Sequence, residues 1–138
     1  MGAKSLLEGV VGWVREVNAR ASSPGVEVVV EGPKDIRSLR GVGIRATFIY
    51  ASNLLREIAD LGEGRVMGRT FIILTDLDRE GEALHKRIKR LVTELGGRVV
   101  EGPRKSYISL GLPPMMEELE NFVRRRFEDW DLLVEGLL

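Results

Sequence analysis

Apolar residues fall along this chain in two alternating rhythms. Over residues 5–20 (SLLEGVVGWVREVNAR), Leu6, Val10, Trp13, Val14 and Val17 recur at helical spacing, with Arg15, Glu16 and Arg20 elsewhere on the wheel. SSPG at 22–25 breaks that helix. VEVVVEG at 26–32 is β-branched and apolar apart from Glu27, which predicts a buried strand. Pro33 suits the first position of a helix, predicted over 33–40 and ended by GVG. IRATFIYA (44–51) predicts a second strand, and Ser52 is placed to cap a helix that runs to Leu61 and stops at Gly62. After the link GEGRVMG, TFIILTD (70–76) predicts a third strand, the most apolar of the set. A long helix follows over 79–95, its inner stripe formed by Leu84, Ile88, Leu91, Val92 and Leu95, with Gly96 and Gly97 as its stop. RVVEG (98–102) predicts a short fourth strand. The pattern then weakens beyond Pro103 until Pro113 and Pro114 open a last helix, MMEELENFVRRRFEDW.

Strands alternating with helices imply βαβ units, so the expected architecture is one α/β domain: a mostly parallel sheet of about four strands, covered by helices. Parallel sheets of this kind bind ligands beyond the carboxyl ends of their strands. Functional groups are therefore expected just after Val30, Ala51, Thr75 and Val100.

Composition narrows the chemistry. The 138 residues contain no Cys and a single His, His85, which excludes disulfides, thiol chemistry, cysteine zinc sites and a His-dominated metal site within one chain. A metal here is held by oxygen, and oxygen ligands suit Mg, Mn or Ca. No apolar run approaches the ~20 residues that span a membrane. Glu8 interrupts any signal-peptide core near the N-terminus, so a cytoplasmic location is expected. The 21 basic and 21 acidic side chains cancel, and the chain lacks the strongly basic balance common in nucleic-acid binders. Arg outnumbers Lys 16 to 5, which favours bidentate contacts to phosphate or carboxylate, or a surface rich in ion pairs. Net charge decides little; local clustering carries the argument.

Acidic residues stand where the fold places a site. Glu31 ends the first strand in VVVEGPKD, with Gly32 next and Asp35 four residues on. Asp76 and Asp78 end the third in TFIILTDLDREGE, with Glu80 and Glu82 opening the following helix, where the helix dipole tolerates negative charge. Residues two apart on an extended segment project to the same side, so Asp76 and Asp78 can share one cation. Two carboxylates ~4 Å apart repel by about 4 kcal/mol at an effective dielectric of 20. Three or four converging therefore need protons or a cation, and magnesium fits best because it accepts one or two carboxylates and completes its shell with water and phosphate.

Other motif readings fail on the same residues. An EF-hand loop opening at Asp76 needs Glu at its twelfth position, which is Arg87, and a helix before it instead of FIILT. A phosphatase with an Asp nucleophile wants Thr or Val where Glu80 stands. A Walker B strand needs a phosphate loop ending in Gly-Lys, and the chain has no Gly-Lys pair. GVGIRA is not a dinucleotide fingerprint.

EGPKD after the first strand and TDLDREGE after the third resemble the Toprim domain shared by type IA topoisomerases, primases and ribosomal-RNA maturation nucleases. DLDREGE is most similar to the topoisomerase form of the motif, where Pro usually replaces Leu77. The resemblance covers residues 25–110, leaving 1–24 as a flanking N-terminal helix and 111–138 as a C-terminal helical extension. It implies a Rossmann-like three-layer fold. It also implies that Glu31 is a general acid or base, that Asp76 and Asp78 bind Mg2+ (with Mn2+ as a substitute) and that Glu80 is an auxiliary ligand. Gly32 and Gly81 would shape the turns, beside Asp35. Phosphate-binding charge is expected from Lys34, Arg79, Lys86, Arg104 and Lys105. The implied activity is Mg-dependent cleavage or transfer at phosphodiester bonds of RNA or DNA, with water as the simplest nucleophile. The alternatives are a non-catalytic Mg- and nucleic-acid-binding module of a larger complex, or primase-like nucleotidyl transfer. No membrane partner is expected; a protein partner or a second copy could dock through the terminal helices. His85 and Tyr107 read as structural.

Overall fold

The computed structural model of the chain describes residues 2–137. Helix α1 (Ala3–Ala21) leads into strand β1 (Val26–Val30), helix α2 (Pro33–Gly41), strand β2 (Phe48–Tyr50) and helix α3 (Ala51–Leu61). A short helix α4 (Glu63–Val66) precedes strand β3 (Thr70–Ile73), the long helix α5 (Arg79–Glu94) and strand β4 (Arg98–Val99). Helix α6 (Gly102–Ser109), a single 3-10 turn (Met116–Glu118), helix α7 (Leu119–Arg126) and helix α8 (Trp130–Leu137) complete the chain. The sheet has the order β2-β1-β3-β4 and every pairing is parallel.

Side-chain alternation on the two central strands divides the core. Val28, Val30, Ile72 and Leu74 face one layer, packed with Val10, Trp13, Val14 and Val17 of α1, Leu39 of α2, Tyr107 of α6 and Trp130 of α8. Val29, Phe71 and Ile73 face the other, against Leu54 and Ile58 of α3 and Ile88 and Val92 of α5. Each such fully buried aliphatic or aromatic side chain contributes roughly 1.5–3 kcal/mol over exposure. Glu27, the polar exception in β1, stands on the second face and is paired through both carboxylate oxygens with Arg65 of α4 (2.8 and 2.9 Å). Arg65 also lies over the Phe71 ring, 5.6 Å from its centroid. The link GEGRVMG thus contains a helical turn that supplies Glu27 with its counter-charge.

The elements depart from sequence expectation where backbone groups find other partners. The second strand starts at Phe48, not at 44, because the amide of Ile44 donates to Leu39 at the end of α2 and that of Arg45 to Asn18 Oδ1. Helix α3 begins at Ala51 directly from β2, so Ser52 lies inside it and no side chain caps it. The third strand ends at Ile73 instead of 76, and the fourth has only Arg98 and Val99. From Glu101 the chain turns into α6, a helix that the fading pattern hid although Pro103 sits in its first turn. The expected last helix is a 3-10 turn and two helices, divided at Phe127, whose backbone is extended (φ −132°, ψ 94°).

A candidate metal centre at the carboxyl ends of the sheet

Parallel pairing brings the ends of β1 and β3 side by side, with Val29 in register with Ile73. One residue beyond β1 the chain presents Glu31; three beyond β3 it presents Asp76. The amide of Asp76 donates to Glu31 Oε2 at 2.7 Å, a bond that joins two loops 45 residues apart. Asp78 sits two further along. One carboxylate oxygen from each of Glu31, Asp76 and Asp78 lies within 4.8 Å of the others. Among the described residues no Lys, Arg or His forms an ion pair with any of the three.

Each carboxylate is held by local backbone. Asp78 is the N-cap of α5 and accepts from the amide of Gly81 at 2.8 Å. Asp76 is buried, and its Oδ1 accepts from the amide of Met116 at 2.8 Å. Asp35, buried at the start of α2, turns its Oδ2 to the amides of Glu31 (3.2 Å) and Gly32 (3.1 Å) and so fixes the turn that presents Glu31. Gly32 has extended backbone (φ −160°) and open space where a Cβ would stand, so the protein itself does not require glycine there. Gly81 is different. A Cβ on it would overlap the Asp76 carbonyl oxygen and lie 2.6 Å from the carbonyl carbon. The third-strand loop therefore packs directly on the backbone of α5.

Arg104 departs most from its expected role. It is 3% exposed, and its guanidinium donates to the carbonyls of Thr75 (2.8 Å) and Asp76 (3.1 Å), more weakly to that of Ile73 (3.3 Å), and to the Glu82 carboxylate (2.7 Å). With these donors committed it does not offer a phosphate contact; it is the strut beneath the loop that carries Asp76. Glu80 also falls outside the carboxylate cluster. By that position the chain has become helix, and Glu80 lines the outer side of α5 with Ala83, Leu84 and Arg87. Lys34, Arg79 and Lys86 are exposed, Lys34 on α2 and the other two on α5. Lys105 lies in a groove between α6 and α1, with Trp13 and Glu16. His85 bonds Glu101 at 3.0 Å, and the Tyr107 hydroxyl donates to the Pro113 carbonyl at 2.6 Å. Arg124 pairs with Glu120 and Asp131.

Sequence reading missed the contribution of Met116. Its amide reaches Asp76 from 40 residues downstream, and a backbone donor leaves no trace in residue type. The buried guanidinium of Arg104 had a faint signal, since it follows the fourth strand at the site edge.

Crowding sets the electrostatics. Burial raises the Glu31 carboxyl above the ordinary glutamate value, and Asp76, Asp78 and Asp35 raise it further, against the lowering effect of the Asp76 amide. Burial likewise raises Asp76, with Asp78 and Glu117 adding to it, and raises Asp35, with Asp76 adding to it. A carboxyl with a raised folded-state pKa stabilises the fold below its unfolded value, and that stability is lost as pH rises through the folded value. Glu101 runs the other way: burial raises it, but His85 and Lys89 lower it more, so its contribution is lost as pH falls. In EDTA, the melting temperature of Asp76→Asn is therefore expected to rise relative to wild type as pH climbs from about 4 toward neutrality. A constant difference across that range, measured by thermal melts, would contradict the crowding. The donor set suits a hard divalent cation: all oxygen, converging, and short of positive charge.

Gly81→Ala tests the packing beneath the site. Alanine gains about 1 kcal/mol in helix propensity, while overpacking costs about 1–3 kcal/mol. Because Arg104 already holds the Asp76 carbonyl, the loop cannot yield cheaply. A net loss of about 1–2 kcal/mol is expected in denaturant unfolding, with weakened Mn2+ uptake.

Residues 27–104 match the family model described as Toprim domain. A UPF0292 protein of Pyrococcus abyssi is 34% identical over 102 residues, which cover 73% of this chain and 70% of that protein. A UPF0292 protein of Thermococcus onnurineus is 42% identical over 81 residues, 56% of this chain and 57% of that protein. A solved structure of a protein from Aquifex aeolicus is similar with a TM-score of 0.62 at 25% identity, covering 78% of this chain and 94% of that one.

Proposed function

The chain belongs to the Toprim domain family, and from that premise we propose that it is a small Mg-dependent nuclease that cleaves phosphodiester bonds in RNA or DNA. Membership by itself places the chain among domains of metal-dependent function related to nucleic acid, which generally bind a divalent ion, typically Mg2+. One observation carries the finer reading: carboxylate oxygens of Glu31, Asp76 and Asp78 meet within 4.8 Å at the carboxyl edge of the sheet.

Asp76 and Asp78 would hold the ion. When bound, such an ion supplies Lewis-acid stabilisation of a phosphoryl oxygen and an ordered, more acidic water. Glu31 would move the proton. Its carboxylate is half-buried, positioned by the Asp76 amide, and has its pKa raised by burial and by neighbouring carboxylates, which brings it nearer the working range of a general acid or base. The open side of Gly32 leaves room next to Glu31 for a substrate backbone. Lys34 and Arg79 follow the two acidic loops directly and are exposed, so they are the phosphate contacts this reading favours.

Incubation of the purified chain with end-labelled RNA and DNA in Mg2+, Mn2+ or EDTA tests the reading. Cleavage that needs the metal and stops in EDTA is expected. Retarded mobility without cleavage would overturn the nuclease and favour a binding module, and elongation from added nucleotides would favour nucleotidyl transfer. Because the molecule carries no net charge, binding is expected to be weak, and with phosphate contacts from Lys34 and Arg79 it should fall modestly as salt rises.

A further inference from the structure

The segment Pro113–Glu118 lies beyond the stretch 27–104 that matches the family model, yet it is stitched to the metal centre. The Leu77 amide donates to the Pro114 carbonyl at 2.7 Å, and the Tyr107 hydroxyl donates to that of Pro113 at 2.6 Å. The Met116 amide donates to Asp76 Oδ1 at 2.8 Å, and just beyond the segment the Glu120 amide donates to Ser38 Oγ at 3.0 Å. Met116 itself is fully buried in the core beneath. The loop bearing Asp76 and Asp78 is therefore closed from above by a second piece of chain, and one oxygen of Asp76 is taken by a peptide N–H.

That bond has a consequence for cation choice. The terminal torsion of Asp is broad, so a free carboxylate can turn to offer one oxygen or both. Calcium often takes both, whereas magnesium demands a compact octahedral shell with single oxygens. We propose that Pro113–Glu118 is a clamp on the metal centre and that Met116 is a positioning residue. Its N–H holds the Asp76 carboxylate so that one oxygen faces the ion, which raises affinity for Mg2+ or Mn2+ over Ca2+. The inference rests on reading Asp76 and Asp78, beside Glu31, as a metal site. It adds to that reading a role for a backbone donor outside the family match.

Met116 opens the 3-10 turn, and Met115 before it is extended (φ −95°, ψ 119°), the backbone that precedes proline without strain. Met116→Pro therefore removes the N–H with little backbone cost, and Met116→Val, with an equally small side chain, keeps it. Isothermal titration of Mn2+ and of Ca2+ into wild type, Met116→Pro and Met116→Val separates the donor from the side chain. The expected result is a loss of Mn2+ affinity of at least about tenfold in the proline variant relative to the valine variant, the scale typical for partners of metal ligands. The preference for Mn2+ over Ca2+ should shrink with it. Equal Mn2+ affinity in the two variants would overturn the clamp alone; no Mn2+ uptake by wild type would overturn the metal site and the clamp together. If circular dichroism shows the proline variant unfolded, amide hydrogen exchange at Met116 in wild type decides. Protection retained on adding Mg2+ supports the clamp, and protection lost on adding it overturns the clamp.

Discussion

Replacing Arg104 with Met is expected to lower the stability of the domain by about 3 kcal/mol, at about 1 kcal/mol for each of three carbonyl oxygens left without a donor. The guanidinium is buried and bonds the carbonyls of Ile73, Thr75 and Asp76. Its ion pair with Glu82 adds little to the sum, because that carboxylate is 42% exposed and rehydrates when the partner leaves. For a domain of this size the change corresponds to a fall in melting temperature of about 10 °C. The effect should not stop at stability. Beyond the end of β3 the carbonyls of Thr75 and Asp76 are held by Arg104, so without it the loop that aims Asp76 loses its support and Mn2+ uptake should weaken. Arg104→Lys keeps charge but not the fork of donors, and is expected to recover only part of the loss. A variant that melts like wild type would show that the loop holds itself.

The second large effect separates the acidic residues from one another. At a Mg2+ concentration about a hundredfold above its dissociation constant, wild type is expected to gain about 2.7 kcal/mol of stability, seen as a rise in melting temperature. Asp76→Asn should abolish that rise and all metal-dependent cleavage. Asn can still accept the Met116 amide through its side-chain oxygen, so the fold should survive. Glu31→Gln should behave differently: it keeps the metal-linked rise but loses turnover by at least about a hundredfold, the typical contribution of a positioned acid or base. If the melting rise vanishes in Glu31→Gln as well, Glu31 is a ligand and the division of roles proposed above is wrong. Cleavage that persists unchanged in Asp76→Asn would remove the metal assignment.

Sequence and structure divide the information along a physical line. Alternating strand and helix patterns are written in local periodicity, so β1, β3, α1 and α5 could be read directly from Val26–Val30, Thr70–Ile73 and the apolar stripes of the helices. The acidic loops could be read as well, because a parallel sheet places the ends of its strands at one edge whatever the details. Elements held by distant partners could not. The start of β2 depends on Asn18 and on the end of α2; α6 and its buried Arg104 are defined by carbonyls 28 to 31 residues upstream. Glu80 shows the same limit in reverse. Its place in the motif suggests a ligand, but α5 has already begun and carries it to another face.

By itself, then, the sequence determined the class of fold, the oxygen-only donor set that limits any metal to a hard cation, and three residues whose carboxylates meet at one edge: Glu31, Asp76 and Asp78. Residue type and local spacing suffice for those, since they are properties of a few consecutive positions. The tertiary structure alone decided which neighbours serve the site: Arg104 as a strut instead of a phosphate contact, Gly81 as a point of backbone contact, and the Met116 amide closing over Asp76. Backbone donors and carbonyls are common to almost every residue, so only the folded path of the chain reveals which of them meet.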